Sequence, residues 1–290
     1  MQEQEQLRFA QRYGPWAFVA GGSEGIGRSF AEQLAARGLD LILTARRQAP
    51  LDEVAAAVSR TYGVRVSTHA LDLTAPDLGA RAAAIVGERE VGMLVYNAGA
   101  THGAGFLVDD ELDKALGLVR LNCIGPLTLV HLLGSRMKER GRGGIILMSS
   151  LSALAGGGYV ATYAATKSFD KVLAEGLWWE LGASGVDVLG LLAGATTTPA
   201  MERSSVRFDR SDVPEANAAV QTLGIVPMSS GDVAREALEQ LGQGPVWIAG
   251  ERNRATAERI AATPRAEAVR LMSEASARLH GLAIPERRRR

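Results

Sequence analysis

Residues 16–27 read Trp16-Ala17-Phe18-Val19-Ala20-Gly21-Gly22-Ser23-Glu24-Gly25-Ile26-Gly27. The first five residues form an apolar run without helical spacing, which predicts a buried strand. Residues 28–37 carry apolar side chains at helical spacing and end before Gly38, which predicts a helix. Glycines between a strand and a helix allow a tight turn and a close approach to a pyrophosphate, which the helix N-terminus attracts. The segment therefore predicts a dinucleotide-binding turn, with an ordinary glycine-rich turn as the alternative.

The rest of the chain continues this alternation of strands and helices. Strand-like runs occupy 16–20, 39–44, 64–70, 91–96, 143–149, 186–192 and 245–249. Helix-like stretches occupy 26–37, 51–61, 76–87, 109–140, 161–184 and 231–242. Such alternation predicts an α/β fold in which helices cover both faces of a parallel sheet. Right-handed crossovers favour the doubly wound, Rossmann-type arrangement, here with about seven strands.

The domain organisation predicted from the sequence is a single domain over 1–290, because we find neither an internal repeat nor a break in composition. The irregular stretch 195–225 is long for a compact domain, which favours a substrate-binding loop. Residues 253–279 have the pattern of one amphipathic C-terminal helix. The four arginines at 287–290 are typical of a solvated tail rather than a binding patch.

Composition excludes several classes of function. Hydrophobic residues make up 47% of the 290 residues, and no uninterrupted apolar run predicts a membrane span. The formal net charge is 0, so no basic surface indicates a nucleic-acid partner. One cysteine and four scattered histidines predict neither a disulfide framework nor a metal site. The polar N-terminus lacks the pattern of a secretory signal, so we expect a cytoplasmic protein.

A second group of residues predicts chemistry. Tyr163 and Lys167 stand four residues apart, which places them on one face of a helix. The ammonium of Lys167 would then stabilise the phenolate of Tyr163, so that the phenol exchanges a proton with a substrate oxygen. Ser150 would hydrogen-bond the same oxygen. Alone, this spacing also occurs by chance on surface helices.

These motifs together resemble those of the short-chain dehydrogenase/reductase family over roughly residues 16 to 250. The family's glycine motif falls on Gly21, Gly25 and Gly27, with the spacing Gly-x-x-x-Gly-x-Gly. Its Asn-Ala-Gly element falls on Asn97, Ala98 and Gly99, and its helix asparagine falls on Asn122. Its serine, tyrosine and lysine fall on Ser150, Tyr163 and Lys167. The order and spacing of all the elements match together, which is more specific than any one of them.

The resemblance implies a role for each matching residue. Tyr163 would be the acid/base and Ser150 would hold the substrate oxygen. Lys167 would bind the nicotinamide ribose, and Asn122 would place a water that relays protons to it. The implied cofactor-binding residues are Gly21, Ser23, Gly25, Ile26, Gly27, Arg46, Asp72, Leu73, Asn97, Ala98, Gly99, Tyr163, Lys167, Gly194, Thr196 and Thr198. The sequence departs from the family pattern at Ala20, Tyr96 and Ala193, where a threonine, an asparagine and a proline are usual.

The end of the second predicted strand bears on the choice of cofactor. An acidic residue there would hydrogen-bond the adenosine ribose and select NAD(H). Ala45 holds that place and is followed by Arg46 and Arg47. A guanidinium suits a 2′-phosphate, so NADP(H) is the preferred cofactor and NAD(H) the alternative. Asp72 resembles the family's adenine-contacting aspartate, and it is also suited to capping the following turn.

The predicted function is an NADP(H)-dependent oxidoreductase that interconverts a secondary alcohol and a ketone. Likeness to the branch of 17-beta-hydroxysteroid dehydrogenases and 3-oxoacyl-CoA reductases, together with apolar candidate pocket residues, favours a hydrophobic substrate such as a steroid, an aryl ketone or a 3-oxoacyl compound. The alternatives are a sugar-nucleotide epimerase or dehydratase and a non-catalytic NADP-binding regulatory protein. Relatives commonly pair through two long helices, here 109–140 and 161–184, so we expect a homodimer or homotetramer.

Overall fold

A parallel sheet lies at the centre of the computed structural model, which describes residues 3–100, 103–203 and 226–284. The described strands are β1 Trp16–Ala20, β2 Asp40–Ala45, β3 Val66–Ala70, β4 Val91–Tyr96, β5 Gly143–Ser150, β6 Val186–Ala193, β7 Thr196–Thr197, β8 Met228–Ser229 and β9 Val246–Ile248. Seven of them form the main sheet in the order β3-β2-β1-β4-β5-β6-β9, and every adjacent pair is parallel. Strands β7 and β8 form a separate parallel pair.

Helices connect these strands. They are α1 Glu3–Tyr13, α2 Gly25–Ala35, α3 Gln48–Tyr62, α4 Leu78–Val86, α5 Leu112–Val119, α6 Gly125–Arg140, α7 Ala161–Gly182, α8 Pro199–Arg203, α9 Ser230–Gln240, α10 Glu251–Ala262 and α11 Arg265–His280. Short 3₁₀ turns form at Leu107–Asp109 and Leu151–Ala153, and a π-helical turn, Arg120–Ile124, joins α5 to α6. The alternation predicted from the sequence is confirmed, with most boundaries within two or three residues.

Two apolar cores lie on opposite faces of the sheet. On one face, Phe30 and Leu34 of α2 and Val54 of α3 pack with residues of β1 and β2. On the other face, Leu78 of α4 and Leu129 of α6 pack with other residues of the same strands. Alternate strand residues therefore face different helical layers, which requires apolar side chains on both faces of each strand. The predicted doubly wound fold is confirmed.

The structure corrects the C-terminal prediction. Residues 253–279 belong to two helices, α10 and α11, rather than one. Pro264 separates them: it has no N–H for a helical hydrogen bond, and Thr263 before it is extended at φ −86° and ψ 137°. The apolar spacing continues across the break, so periodicity alone did not reveal it. Helix α1 was not predicted either.

Helices α5 and α6 and the π-helical turn form one continuous helix, Leu112–Arg140. Its 29 residues are long and apolar enough to cross a membrane by length and composition, a test that core helices of water-soluble proteins also pass. In the fold it packs against β4, β5 and α4. Strand order places β1 between β2 and β4, where the direction of winding reverses. In such sheets the crevice beyond the carboxyl ends of these strands is where ligands bind.

Two further predictions concern the organisation of the chain. The single domain over 1–290 stays a prediction. Of the predicted substrate loop 195–225, residues 195–203 form β7 and α8, and the remainder from 204 onward lies outside the described residues.

Candidate active site

The glycine turn between β1 and α2 is held against two neighbouring strands. Gly21 has φ +85°, a conformation that favours glycine, and its N–H donates to Thr44 O at 2.8 Å. A Cβ on Gly27 would lie 1.9 Å from Gly21 O, so the helix can start here only without a side chain. Asn97 Nδ2 donates to Gly21 O at 3.0 Å, which ties the end of β4 to the turn. The backbone is thereby exposed for a close approach by a ligand.

A cleft of about 950 Å³ opens at this edge of the sheet. Eleven of the predicted cofactor residues line it: Gly21, Ser23, Gly25, Ile26, Arg46, Asp72, Leu73, Asn97, Ala98, Gly99 and Thr198. Its other lining residues are Glu24, Ala45, Arg47, Leu71, Thr74, Ala100, Gly117, Leu121, Ala200 and Arg203. The cleft therefore extends across the ends of β1, β2, β3 and β4 and reaches the long helix and α8.

Two arginines stand at one end of the cleft. Arg46 and Arg47 follow β2 directly, line the cleft and are exposed. Asp72 lies in the same part of the cleft and accepts hydrogen bonds from Thr74 N at 2.9 Å and Thr74 Oγ1 at 2.7 Å. The backbone and hydroxyl hydrogen bonds of Thr74, together with the positive charge of Arg46, hold the pKa of Asp72 below its usual value. Asp72 thus both lines the cleft and caps the turn.

The segment after β6 contributes unevenly to the cleft. Thr198 lies over the glycine turn, since its Cγ2 would be 3.1 Å from a Cβ on Gly25. Its Oγ1 accepts from Met201 N at 3.0 Å and so begins α8. Gly194 and Thr196, which were also predicted to bind cofactor, do not line the cleft. Gly194 instead packs against the side chain of Asn253, where a Cβ would lie 2.6 Å from Oδ1.

The π-helical turn presents Asn122. Gly125 N–H bonds to Arg120 O, one residue further back than in an α-helix, and Tyr96 Oη donates to Leu121 O at 2.6 Å. The tyrosine thus takes the carbonyl that Gly125 would otherwise use. Pro126 has no N–H, so it cannot bond to the carbonyl of Asn122. Asn122 is fully buried, and its Oδ1 has no hydrogen-bond partner among the described residues.

Lys167 is buried at the end of β5. Its Nζ donates to Met148 O at 2.7 Å and to Asp170 Oδ2 at 3.0 Å. Ser149 Oγ donates to Lys167 O at 2.7 Å, which fixes α7 against the strand. Because α7 is continuous through this region, Tyr163 lies one turn before the lysine and is half-buried.

Ser150 ends β5 and is half-buried. Its Oγ accepts from Ser152 N at 3.2 Å, so it also caps the short 3₁₀ turn that follows. Its hydroxyl is 3.3 Å from Ser152 Oγ, a long contact that leaves the proton available for a better acceptor.

Gly99 connects these catalytic candidates to the cleft that it lines. A Cβ at Gly99 would lie 3.3 Å from Lys167 Nζ and 3.5 Å from Asn122 Oδ1. The lysine and the asparagine, 45 positions apart in the chain, therefore meet at one end of the large cleft. A Cβ at position 99 would press on the lysine amine and would be in ordinary contact with the asparagine oxygen.

A second cavity of about 50 Å³ adjoins Tyr163. Its other walls include Leu107, Leu118, Val160 and Tyr159. The ring of Tyr159 stacks on Phe106 with centroids 4.8 Å apart. Tyr159 has φ +66°, a strained value for a residue with a side chain, and such strain clusters near functional sites.

The C-terminal helix α11 closes this region. Tyr159 Oη donates to Ala283 O, and Gly158 N donates to Ser273 Oγ at 2.7 Å. A Cβ on Gly157 would lie within 3.9 Å of Met272. Gly158 thus makes room for α11, because a Cβ there would lie 3.2 Å from Ser273.

Several residues near the site were missed from the sequence. Tyr159 and Ser152 lie beside the catalytic candidates, in the segment 151–160 that the sequence predicts as a candidate pocket segment, but neither residue was singled out. Arg203 forms an ion pair with Glu24 across the cleft, a contact between residues 179 positions apart that no local pattern predicts. Asp170 stands three residues after Lys167. That spacing places a carboxylate beside an ammonium on one helix face, so the sequence did contain a signal for this ion pair.

The arrangement fits a nicotinamide dinucleotide. The start of α2 offers backbone N–H groups that have no helical acceptor to a pyrophosphate. The arginines lie beyond β2, where the adenosine ribose of such a cofactor would extend. Lys167 and the unpaired Oδ1 of Asn122 lie at the other end, as hydrogen-bonding groups for a ribose or a water. We find no contact in the described residues that would prevent this fit.

Comparison with known proteins places these features in a family. Residues 15–207 match the family described as short chain dehydrogenase. The chain is 33% identical over 248 residues to a 7beta-hydroxysteroid dehydrogenase of Clostridium sardiniense, covering 86% of this chain and 90% of that protein. It is 31% identical over 223 residues to a very-long-chain 3-oxoacyl-CoA reductase of Bos taurus, covering 75% and 71%.

Solved structures agree with the sequence relatives. The fold superposes on a 7beta-hydroxysteroid dehydrogenase with a TM-score of 0.81 at 26% identity, covering 91% of this chain and 98% of that one. It superposes on a short-chain dehydrogenase from Sphingobium yanoikuyae, solved in complex with NADPH, with a TM-score of 0.71 at 30% identity, covering 81% and 87%. The resemblance read from the sequence is confirmed: the chain belongs to the short-chain dehydrogenase family and is a nicotinamide-dependent oxidoreductase that acts on CH–OH groups.

Proposed function

We propose that this enzyme uses NADP(H) to interconvert a secondary alcohol and a ketone on a hydrophobic substrate. The observation that carries the proposal is the meeting of Lys167 and Asn122 at Gly99, where the large cleft ends beside the helix that carries Tyr163. A cofactor in the cleft would reach this point with its nicotinamide ribose. A substrate whose reacting end entered the smaller cavity would reach Tyr163 there.

The preference for NADP(H) over NAD(H) rests on the end of β2. Ala45 leaves no carboxylate there to accept from a ribose 2′-hydroxyl or to repel a 2′-phosphate. Arg46 and Arg47 line the same part of the cleft and are exposed, so they are able to bind a phosphate. The relative from Sphingobium yanoikuyae binds NADPH, which supports the same choice here.

In this proposal each catalytic residue has a separate task. The cofactor, when bound, supplies or accepts the hydride. Tyr163 donates a proton to the carbonyl oxygen in reduction and accepts it in oxidation. Ser150, whose hydroxyl proton is only loosely engaged by Ser152, donates a hydrogen bond to the same oxygen. Lys167 holds the ribose and favours the phenolate, and Asn122 offers Oδ1 to a water that passes protons to Lys167.

The proposed substrate is a bulky, hydrophobic ketone. The cavity beside Tyr163, at about 50 Å³, has room only for the reacting end of such a ketone, and its walls combine the apolar Leu107, Leu118 and Val160 with the charged Asp110, Glu111 and Lys114. The stacked rings of Phe106 and Tyr159 add apolar surface for the rest of the substrate. Relatives named for 7beta-hydroxysteroids and very-long-chain 3-oxoacyl-CoA support this class. An acyl-CoA carries phosphate groups that an arginine would bind. We rank a neutral ketone above it because Arg203 already pairs with Glu24. Arg207 and Arg210, in the predicted substrate loop, lie outside the described residues.

We also propose a homodimer or homotetramer. Helix α5 carries exposed Leu112, the π-helical turn carries exposed Ile124, and α7 carries exposed Val172 and Trp179, the last with 79% of its surface accessible. Large apolar side chains along two long helices are typical of a protein interface. A cytoplasmic location remains a proposal from the sequence alone.

The deciding experiment is an NADPH-oxidation screen on the purified protein. It compares steroid ketones, aryl ketones, 3-oxoacyl thioesters and ketosugars, each also with NADH. We expect turnover with hydrophobic ketones and NADPH, and loss of that turnover in Tyr163→Phe. Turnover confined to ketosugars would reject the substrate class, and equal use of NADH would reject the cofactor preference.

A further inference from the structure

Glu24 and Arg203 form an ion pair that connects the two sides of the large cleft. Glu24 belongs to the glycine turn before α2, and Arg203 is the last residue of α8, in the segment after β6. Both residues line the cleft. The side chain of Arg203 is 58% exposed and that of Glu24 is 31% exposed, and an ion pair this exposed adds little to the stability of a fold. Its main effect is on the charge of the cleft.

Glu24 stands directly at the start of α2, in the N-cap position before Gly25. Its backbone carbonyl accepts from Arg28 N at 3.2 Å, as the first turn of a helix requires. Its side chain makes no capping hydrogen bond in the described part of the chain, so the carboxylate does not take up the N–H groups of the helix start. Those N–H groups are the ones that a cofactor pyrophosphate would use. A carboxylate on the adjacent residue would repel that pyrophosphate if nothing offset its charge.

Helix α8 carries the offsetting charge to this point. Thr198, just before the helix, lies on the glycine turn, since its Cγ2 would be 3.1 Å from a Cβ on Gly25. Thr198 Oγ1 accepts from Met201 N at 3.0 Å, which fixes the beginning of α8. Arg203, at the other end of the helix, pairs with Glu24. The short helix is thus held against the glycine turn at both ends.

The formal charge of the cleft depends on this arginine. Among the described residues that line the cleft, the charged ones are Arg46, Arg47, Arg203, Glu24 and Asp72. Three positive charges against two negative charges leave a formal sum of +1. Loss of the Arg203 charge would bring the sum to 0 and would leave the Glu24 carboxylate without its partner beside the start of α2. A dinucleotide, whose pyrophosphate is an anion, should then bind less tightly.

We propose that Arg203 is a positioning residue for the cofactor: it neutralises Glu24, so that the start of α2 accepts the pyrophosphate. Arg46 was proposed to bind the 2′-phosphate, which NADPH carries and NADH lacks. Arg203 instead acts on the pyrophosphate, which both cofactors carry, and it does so through Glu24. This inference rests on the proposed cofactor site and adds to it a residue from the segment after β6.

The test measures the dissociation constants of NADPH and NADH for the full-length protein by calorimetric titration without substrate. Arg203→Gln removes the cation, Arg203→Lys keeps a cation, and Glu24→Gln removes the carboxylate. The double variant Glu24→Gln/Arg203→Gln removes both charges. Arg60→Gln removes an exposed arginine of α3, outside the cleft, and is the control for the change in net charge. Melting temperatures verify that each variant is folded.

We expect Arg203→Gln to weaken both cofactors by roughly 3- to 30-fold, the effect of one unit charge several ångströms from a phosphate at a partly exposed site. The loss should shrink at high salt, because exposed charges are screened. Arg203→Lys and Arg60→Gln should bind like the wild type. Glu24→Gln should bind both cofactors at least as tightly as the wild type. The double variant should recover the affinity that Arg203→Gln loses, because it no longer carries the repelling carboxylate.

Four outcomes would overturn the proposal. The first is wild-type affinity in Arg203→Gln, or an equal loss in Arg60→Gln. The second is a double variant as weak as Arg203→Gln, because the arginine would then act on the phosphates without Glu24. The third is a loss confined to NADPH, which would assign Arg203 to the 2′-phosphate. The fourth is a loss that high salt leaves unchanged, which would indicate packing rather than charge.

The wild-type titration separates this inference from the proposed function. If the wild type bound neither NADPH nor NADH, the proposed cofactor site would fail and this inference with it. If the wild type bound NADPH and every Arg203 variant bound it equally well, the proposed function would stand and the present inference alone would fail.

Discussion

Asn122 Nδ2 donates a hydrogen bond to Thr166 Oγ1 at 3.0 Å and so joins the π-helical turn to α7. Thr166 Oγ1 itself donates to Tyr163 O at 2.8 Å, which leaves its lone pairs for the asparagine. The amide of Asn122 is thereby oriented, with its nitrogen toward α7 and its oxygen toward Gly99. One buried threonine thus determines which face of Asn122 a water or ribose would meet.

Replacing that threonine tests the orientation of Asn122. In Thr166→Val the amide nitrogen keeps only the long 3.5 Å contact with Ala100 O, so a buried donor loses its main partner. We expect the free energy of unfolding to fall by about 1–3 kcal/mol, and kcat to fall with it. Thr166→Ser retains the hydroxyl and should stay near the wild type in both urea unfolding and kcat. Equal behaviour of the two variants would contradict a role for the hydroxyl.

Tyr163→Phe tests the proposed acid. We expect kcat to fall by roughly 10²–10⁴-fold, the contribution typical of general acid–base catalysis. NADPH binding should remain near the wild type, because the phenol is not the main anchor of the cofactor. Steady-state kinetics and cofactor titration measure the two effects. Tyr62→Phe, at the exposed end of α3, is the matched control and should change neither. Near wild-type turnover in the Tyr163 variant would reject the assignment.

Arg46→Ala tests the choice between cofactors. If the guanidinium binds the 2′-phosphate, NADPH binding should weaken by about 1–3 kcal/mol, the range for a charge-assisted contact. NADH binding should hardly change. Arg60→Ala removes an exposed arginine from α3, outside the cleft, and should leave both affinities intact. Equal losses for the two cofactors would mean that Arg46 acts through packing or folding.

The sequence predicted the parts of the site that local chemistry determines. A strand, spaced glycines and a helix specify the turn at 16–27 because the backbone itself requires that pattern. The spacing of Tyr163 and Lys167 specifies a shared helix face because residues four apart are neighbours on the surface of a helix. The seven parallel strands followed from alternating apolar segments and the limited number of right-handed topologies.

What the sequence did not reveal depends on contacts between distant segments. The meeting of Lys167 and Asn122 at Gly99 requires β4, α7 and the π-helical turn to be assembled first. The ion pair of Glu24 with Arg203 and the contacts of α11 with residues 157 and 158 are of the same kind. The break at Pro264 is different, because the proline is visible in the sequence while the apolar spacing continues across it.

Gly27→Ala tests the tight start of α2. The new methyl would lie 1.9 Å from Gly21 O and 2.7 Å from Asn97 Nδ2, so the turn must open. We expect a lower melting temperature and loss of measurable NADPH binding. Gly176→Ala is the control, since Gly176 is exposed on α7 with nothing within 4 Å of its Cβ position. That variant should bind NADPH normally and gain up to about 1 kcal/mol of stability from helix propensity. Normal NADPH binding by Gly27→Ala would contradict the close approach of α2 to Gly21 O.

The pH dependence of stability should show the burial of Asp170. Its pKa is raised from 3.8 to about 6 in the folded protein, so folding favours the protonated form. The stability that this preference contributes is fully present below the unfolded pKa, and it is lost as the pH rises through the folded pKa.

Subtracting the unfolding free energy of Asp170→Asn from that of the wild type at each pH isolates this effect, because the other groups are common to both. We expect the difference to shift against the wild type by on the order of 2 kcal/mol between pH 4 and pH 6. It should then stay level from pH 7 to pH 8, where the carboxyl is ionised in both states. A difference that moves in favour of the wild type over the acidic range would mean that the ion pair with Lys167 outweighs the cost of burial.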